Sequence, residues 1–355
     1  MPTDTALRPA GARPPAPHSG AGAAGCACPG RDAERDPGRA PRRPRPTQRR
    51  RGSGPGSRDR NWGLPLALAA ALVGMGVAML VPVRAEVPPG ARAWTRHIEV
   101  QGQRRSELVV APAHLASGLP LYVVLHGSDA SPAFEERRTG LSYLAGEGRA
   151  LLVYPAGLGE SWNAGQGCCG YSGRTHSDDV AFVEAVVADA VSHFGVDPRR
   201  VYLVGYSNGG KMALRMLAVD PDAFAGVAVY AATPLVPVGH GPPVPVLVAG
   251  GTADDRTPWA GPPRVQNGAL APSVTGAAAI LRRRDRVGAT ATLRLLAGGR
   301  VTVETWRGTT ARQVVTLVGY RGRGHAWPQA RDSPLVLARL IVGFFDGLGP
   351  APIGP

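Results

Sequence analysis

Apolar residues in this chain come in consecutive runs. Val123-Val124-Leu125 and Leu151-Leu152-Val153 are apolar at successive positions, a pattern that a strand carries when both faces of its sheet are covered. Strand-like runs fall at about 95–101, 106–111, 120–126, 150–154, 200–205, 225–231, 244–249 and 313–320, with a further pair near 291–296 and 301–306 ahead of the last one. After an opening hairpin they alternate mostly with helical segments. One helix starts at Asp178 and Asp179, reads as capped there, and repeats Val180, Val183, Val187 and Val191 at helical spacing; another covers about 335–345. The alternation predicts an α/β domain over residues 86–350, with a mainly parallel central sheet and helices on both faces. No internal repeat interrupts it.

The turn after the run at 200–205 carries the chemistry. Gly205, Ser207 and Gly209 form G-x-S-x-G between an apolar strand and the helix-forming Lys211-Met212-Ala213-Leu214. In this nucleophile elbow the serine sits on a strained strand-to-helix turn that small neighbours permit, with its hydroxyl exposed above the sheet. The following helix turns its free N–H groups and positive dipole end toward the same point. Residues 205–211 also fit G-x-x-x-x-G-K, a phosphate-cradling loop, which would make the chain a nucleotide or polyanion binder. That reading needs Ser or Thr after the lysine to hold Mg²⁺, and position 212 is Met.

A serine nucleophile needs an acid and a base. The apolar run 244–249 leads to Asp254, the candidate acid, with Asp255 beside it as the substitute; the run 313–320 leads through a glycine-rich loop to His325, the candidate base. The chain order Ser207, Asp254, His325, each after a strand, is that of the α/β-hydrolase fold. Asn208 N–H is the first expected oxyanion donor, and Ser128 N–H, after the third strand and Gly127, the second. A serine peptidase or acyltransferase on the same fold is the alternative activity.

Several further motifs stand in one order along residues 95–345: Leu125-His126-Gly127; Ser161-Trp162-Asn163-Ala164-Gly165 followed by Cys168-Cys169-Gly170; Asp178-Asp179-Val180-Ala181-Phe182; the segment 205–210; Gly251-Thr252-Ala253-Asp254; and Gly324-His325-Ala326-Trp327-Pro328. In these the chain resembles the esterase family of polyhydroxybutyrate depolymerases and feruloyl and acetylxylan esterases. The resemblance implies a serine esterase without cofactor or metal, acting on hydroxyalkanoate or on feruloyl or acetyl polysaccharide esters. Its nucleophile, acid and base carry onto Ser207, Asp254 and His325, and it implies that Trp162 and Trp327 line the pocket. Two departures stand out. Gly250 occupies a position commonly held by His, and Ser128-Asp129 replaces the usual Cys-x-Gln or glycine run.

Charge and composition add the question of location. Residues 1–61 are dominated by Pro, Gly, Ala and Arg and are expected to be disordered; residues 1–60 hold thirteen Arg and five acidic residues, +8 of the chain's +14. The uncharged run 62–83, followed by Val83-Arg84-Ala85, reads as a signal peptide cleaved after Ala85, or as an uncleaved anchor. Arginines before it place the hydrolase outside the cytoplasm in either case. The tail lacks aromatics for base stacking, so no nucleic-acid partner is expected. Cys168 and Cys169 are read as a vicinal disulfide or two thiols, and no zinc site is expected because no histidine pair at ligand spacing accompanies them. With only 347–355 after the last helix, no polymer-binding domain is expected, which favours soluble oligomers or polysaccharide side-chain esters as substrates.

Overall fold

The structure is a computed structural model that describes residues 84–349, apart from 267. The arginine-rich tail and the apolar run 62–83 lie outside the described residues.

Ten strands form one sheet in the order β1-β2-β4-β3-β5-β6-β7-β12-β11-β10. β1 (Ala91–Val100) and β2 (Gln103–Pro112) make the expected hairpin. Its two-residue turn, Gln101-Gly102, has φ of 49° and 76°, the left-handed pair that matches the twist of the flanking strands. β4 (Leu151–Pro155), β3 (Leu121–Leu125), β5 (Val201–Tyr206), β6 (Gly226–Tyr230), β7 (Val246–Gly251) and β12 (Val314–Tyr320) run parallel to one another. The antiparallel pair β10 (Ala291–Leu296) and β11 (Val301–Arg307) extends the far side through β12.

The consecutive apolar runs are buried on both faces, as their pattern requires. In β3, Leu121, Val123 and Leu125 enter one core while Tyr122 and Val124 enter the other; in β5, Val201 and Leu203 divide likewise from Tyr202 and Val204. The first core is closed by α4 (Asp179–Phe194), α5 (Asn208–Val219) and α6 (Val274–Arg284), through Phe182, Met212 and Leu281. The second is closed by α2 (Tyr143–Gly146) and α7 (Leu337–Asp346), through Leu144, Ile341 and Phe345. Helix α1 (Pro132–Thr139) follows β3 with Ser131 as its N-cap, and α3 (Gly170–Arg174) lies just after the paired cysteines. A small hairpin, β8 (Arg264–Gln266) with β9 (Ala269–Ala271), stands apart from the main sheet.

Parallel register aligns the carboxyl ends of the central strands. Tyr206 pairs with Tyr230, and Tyr320 with Gly251, so the loops leaving β5, β7 and β12 emerge side by side. In open parallel sheets ligands bind at this edge.

Candidate active site

Ser207 is the single residue between β5 and α5. Its φ of 51° and ψ of −115° are a left-handed-side conformation that costs an ordinary residue on the order of 1–3 kcal/mol. The surrounding glycines explain why the turn closes. A Cβ on Gly205 would lie 2.5 Å from Gly209 O, and one on Gly209 would collide with Leu125 O. Because Gly209 and Gly210 already belong to the first helical turn, no loop is left to surround a phosphate, which removes the nucleotide-binding reading of 205–211.

The loops after β7 and β12 bring the other two residues to the serine. His325 Nε2 lies 2.9 Å from Ser207 Oγ, and His325 Nδ1 lies 2.8 Å from Asp254 Oδ2. Asp254 is buried, whereas Asp255 is exposed, so Asp254 is the carboxylate in place. Its other oxygen, Oδ1, accepts from the N–H groups of Arg256 and Thr257, both at 2.9 Å. The histidine loop is held from below and from the side. Tyr206 and Tyr230 hydroxyls donate to the carbonyls of His325 and Gly324, both at 3.2 Å, and Arg323 donates to the carbonyls of Ala326 and Trp327 and to Asp332.

Of the two expected oxyanion donors, Asn208 opens α5, where an α-helix leaves its first N–H groups without an intrahelical acceptor. Ser128 lines the same cleft as Ser207. The close approach at Gly127 is made by Tyr206, whose Cδ1 would sit 2.8 Å from a Cβ there.

Trp162 does not line the pocket. It is fully buried, its ring lies near His126 and Phe182, and its Nε1–H donates to His126 O at 2.9 Å. The physical reason is a lattice of hydrogen bonds that draws the segment 161–165 under the elbow. Trp162 N–H donates to Asn208 Oδ1 and Asn208 Nδ2 returns a bond to Trp162 O. Asn163 N–H donates to Asp179 Oδ2, and Arg215 donates to Asn163 O. His126 completes the lattice: its Nε2 accepts from Gly157 N–H at 2.9 Å, and its Nδ1–H faces Gly127 O. Burial pushes this imidazole down to about 4, so it stays neutral and able to accept.

Trp327 is also nearly enclosed and lines a neighbouring cavity of about 360 Å³ with Phe134, Arg138 and Tyr206, beside the cleft that holds Ser207. The reason is edge-on packing against Tyr206 and Tyr230.

Asp178 caps α4 as expected, accepting from Ala181 N–H. Asp179 does something else. It is completely buried and pairs with Arg105 at 2.8 Å, tying β2 to the segment under the elbow. Removing one partner of such a pair leaves an uncompensated buried charge, so Asp179→Ala should cost about 3–5 kcal/mol of stability. Urea unfolding with an unchanged midpoint would show that the pair contributes nothing.

Cys168 and Cys169 are joined as a vicinal disulfide, packed with Ala164, Leu235, Ala269 and Ala271. Trp162 O accepts from Cys169 N–H at 2.9 Å, so the pair borders the segment 161–165. The space left by Gly250 is taken up by Val274, 3.1 Å from a Cβ there, and by Trp259 at 3.5 Å.

The cleft itself, about 600 Å³, is lined by Ser128, Asp129, Arg138, Tyr206, Ser207 and Lys211, together with Arg256, Thr257, Val265, Gln266 and His325. Motif reading missed Lys211, Arg138 and Arg256 as cleft residues. Lys211 lies inside a recognised motif, but its direction depends on the helix; Arg138 and Arg256 belong to segments with no motif of their own.

No family model matches the chain. Sequence relatives are nonetheless clear. NocK of Nocardia uniformis subsp. tsuyamanensis, an esterase by name, is 37% identical over 195 residues, covering 53% of this chain and 56% of that protein. The bifunctional acetylxylan esterase/xylanase XynS20E of Neocallimastix patriciarum is 31% identical over 161 residues, 44% of this chain and 22% of that protein. Poly(3-hydroxyalkanoate) depolymerase C of Paucimonas lemoignei is 32% identical over 127 residues, 35% and 30% respectively. The chain thus spans little more than half the length of the first and under a third of the other two. Among solved structures, the acetyl xylan esterase from Aspergillus awamori superposes with a TM-score of 0.55 at 13% identity, covering 72% of this chain and 99% of that one, which is a likeness of fold. The domain therefore has the α/β-hydrolase fold, and the chain is a relative of the esterases of that fold that include polyhydroxyalkanoate depolymerases and feruloyl and acetylxylan esterases.

Proposed function

We propose that residues 86–350 form a carboxylic ester hydrolase that works through an acyl-enzyme on Ser207. The observation that carries this reading is the continuous pair of contacts, Asp254 to His325 at 2.8 Å and His325 to Ser207 at 2.9 Å. Ser207 Oγ attacks the ester carbonyl carbon while His325 Nε2 takes its proton, and Asp254 holds the imidazole with Nδ1–H toward the carboxylate. The oxyanion of the tetrahedral intermediate is stabilised by the N–H groups of Asn208 and Ser128. Collapse breaks the bond to the alcohol oxygen, which leaves with the proton from His325, and water then repeats the sequence on the acyl-enzyme. No step calls for a metal or cofactor.

The substrates we assign are hydroxyalkanoate esters in preference to feruloyl esters. Tyr206 is the one phenyl-type ring and Val265 the one aliphatic side chain among the lining residues, and besides His325 the rest are charged, hydroxyl or amide; this suits a short acyl group carrying oxygen more than a planar aromatic one. For export, support comes from the residue after the expected cleavage point. Glu86 N–H donates to the buried Glu136 Oε2 at 2.8 Å, so an amine released there would meet a carboxylate.

A fluorophosphonate probe tests the mechanism. Peptide mapping should find one adduct, on Ser207, and competition by a 3-hydroxybutyrate oligomer should slow its formation more than methyl ferulate does. Labelling at another residue, or none, overturns the assignment.

A further inference from the structure

Lys211 occupies a place that is unfavourable for it on three physical grounds. It is only 6% exposed, and burying an ammonium costs free energy unless an anion or acceptor compensates. Among the described residues no hydrogen bond or ion pair to its ammonium is formed, and burial pulls its pKa down to about 8. It also stands in the first turn of α5, where the helix dipole disfavours a cation. It is the only lysine among the chain's 40 basic residues.

Its direction says what could compensate. Lys211 stands in the first turn of α5, and helical side chains lean toward the N-terminus, the end at which Ser207 stands. Lys211 accordingly lines the same cleft as Ser207 and His325. Other charges around that cleft do not neutralise it. Arg138 is engaged with Glu135 at 2.7 Å, Arg256 adds another cation, and Asp129, the one carboxylate among the lining residues, is exposed and forms no ion pair with Lys211. The cleft thus holds a desolvated, unpaired cation beside the proposed nucleophile.

We propose that Lys211 anchors a free carboxylate carried by the substrate, so that the enzyme selects esters bearing a second, unesterified carboxyl group. The inference rests on the reading of Ser207 as nucleophile. The substrate's carboxylate supplies the missing partner of the ammonium, and a compact point charge suits a position where the planar fork of arginine would need more room. The end of a hydroxyalkanoate oligomer has this chemistry: an ester with a carboxylate on the same short chain.

The test uses two matched pairs at neutral pH: the 3-hydroxybutyrate dimer against its methyl ester, and monoethyl adipate against ethyl hexanoate. Hydrolysis of the charged member should be preferred in at least one pair, and Lys211→Met should lower that charged-to-neutral ratio of kcat/KM by about 10- to 100-fold, as expected for loss of a charge-assisted hydrogen bond. The change should fall mainly in KM. Methionine keeps the apolar stem, so the variant should melt no lower than the parent; Lys211→Gln replaces it if it fails to fold. An unchanged ratio, or no preference in either pair, overturns the proposal while leaving the esterase reading intact. If none of the four esters is cleaved in a Ser207-dependent way, the esterase reading fails instead. Lys211 is then judged by calorimetry of adipate and 3-hydroxybutyrate on Ser207→Ala protein. At least roughly tenfold weaker binding with Lys211→Met sustains the anchor; absent or unaffected binding removes it.

Discussion

Ser207→Ala should lower kcat on any ester substrate by about 10⁶-fold, the scale seen when a triad nucleophile is removed, with no change in the folded structure. Alanine fits the site because the serine's backbone, not its hydroxyl, ties the elbow to the sheet. Ser207 N–H donates to Tyr230 O, and Ser207 O accepts from Lys211 N–H; both bonds survive. Alanine also pays no more than serine for φ of 51°. What disappears is the oxygen 2.9 Å from His325 Nε2 and with it the proposed acyl-enzyme. Residual turnover over water would come from the oxyanion donors alone. Measured kcat within tenfold of the parent, with the fold verified by melting, would move the nucleophile elsewhere.

Asp254→Asn should cost about 10⁴-fold in kcat, again without unfolding. The geometry around Asp254 dictates how. Oδ1 accepts two backbone N–H bonds, from Arg256 and Thr257, so the carboxamide of asparagine must place its oxygen there. Its NH₂ then faces His325 Nδ1. An NH₂ group donates, so the imidazole must present Nδ1 as acceptor and carry its proton on Nε2, toward Ser207. In that tautomer it cannot take the serine's proton. The loss should therefore appear in kcat with KM little changed. Asp255 offers no rescue, being exposed and without a bond to His325. Equal losses from Asp255→Asn and Asp254→Asn would contradict this account.

How much of the site could be read from the chain varied with the range of the interactions involved. The elbow is a local object: Gly205, Ser207 and Gly209 specify a backbone turn, and the strand and helix on each side specify what it joins. Asp254 and His325 were legible because chain order and the preceding apolar runs imply which end of the sheet they reach. The strand pair at 291–296 and 301–306 was found by the same means, and its boundaries agree with β10 and β11 to within a residue.

Elsewhere local pattern was silent. Hairpin β8–β9 consists of two three-residue strands, too short for periodicity to register. Helix α1 contains Glu135 and Glu136, buried despite their charge, so its apolar face has no sequence signature. Trp162 illustrates the problem most directly. An aromatic beside a catalytic motif can face a ligand or a core, and only the bonds it donates to Asn208 and His126, at 46 and 36 residues' separation, turn it inward.

The sequence by itself determined the sheet's covered strands, the elbow and the order in which Ser207, Asp254 and His325 follow their strands, because each is encoded in neighbouring residues and in apolar periodicity. Tertiary structure alone decided that Asp254 rather than Asp255 meets His325, that Trp162 is scaffold, and that Lys211 lines the cleft of Ser207 with no ion pair among the described residues. Those outcomes depend on which distant segments share a side chain's surroundings, and burial and charge pairing are properties of that shared environment rather than of any one stretch of chain.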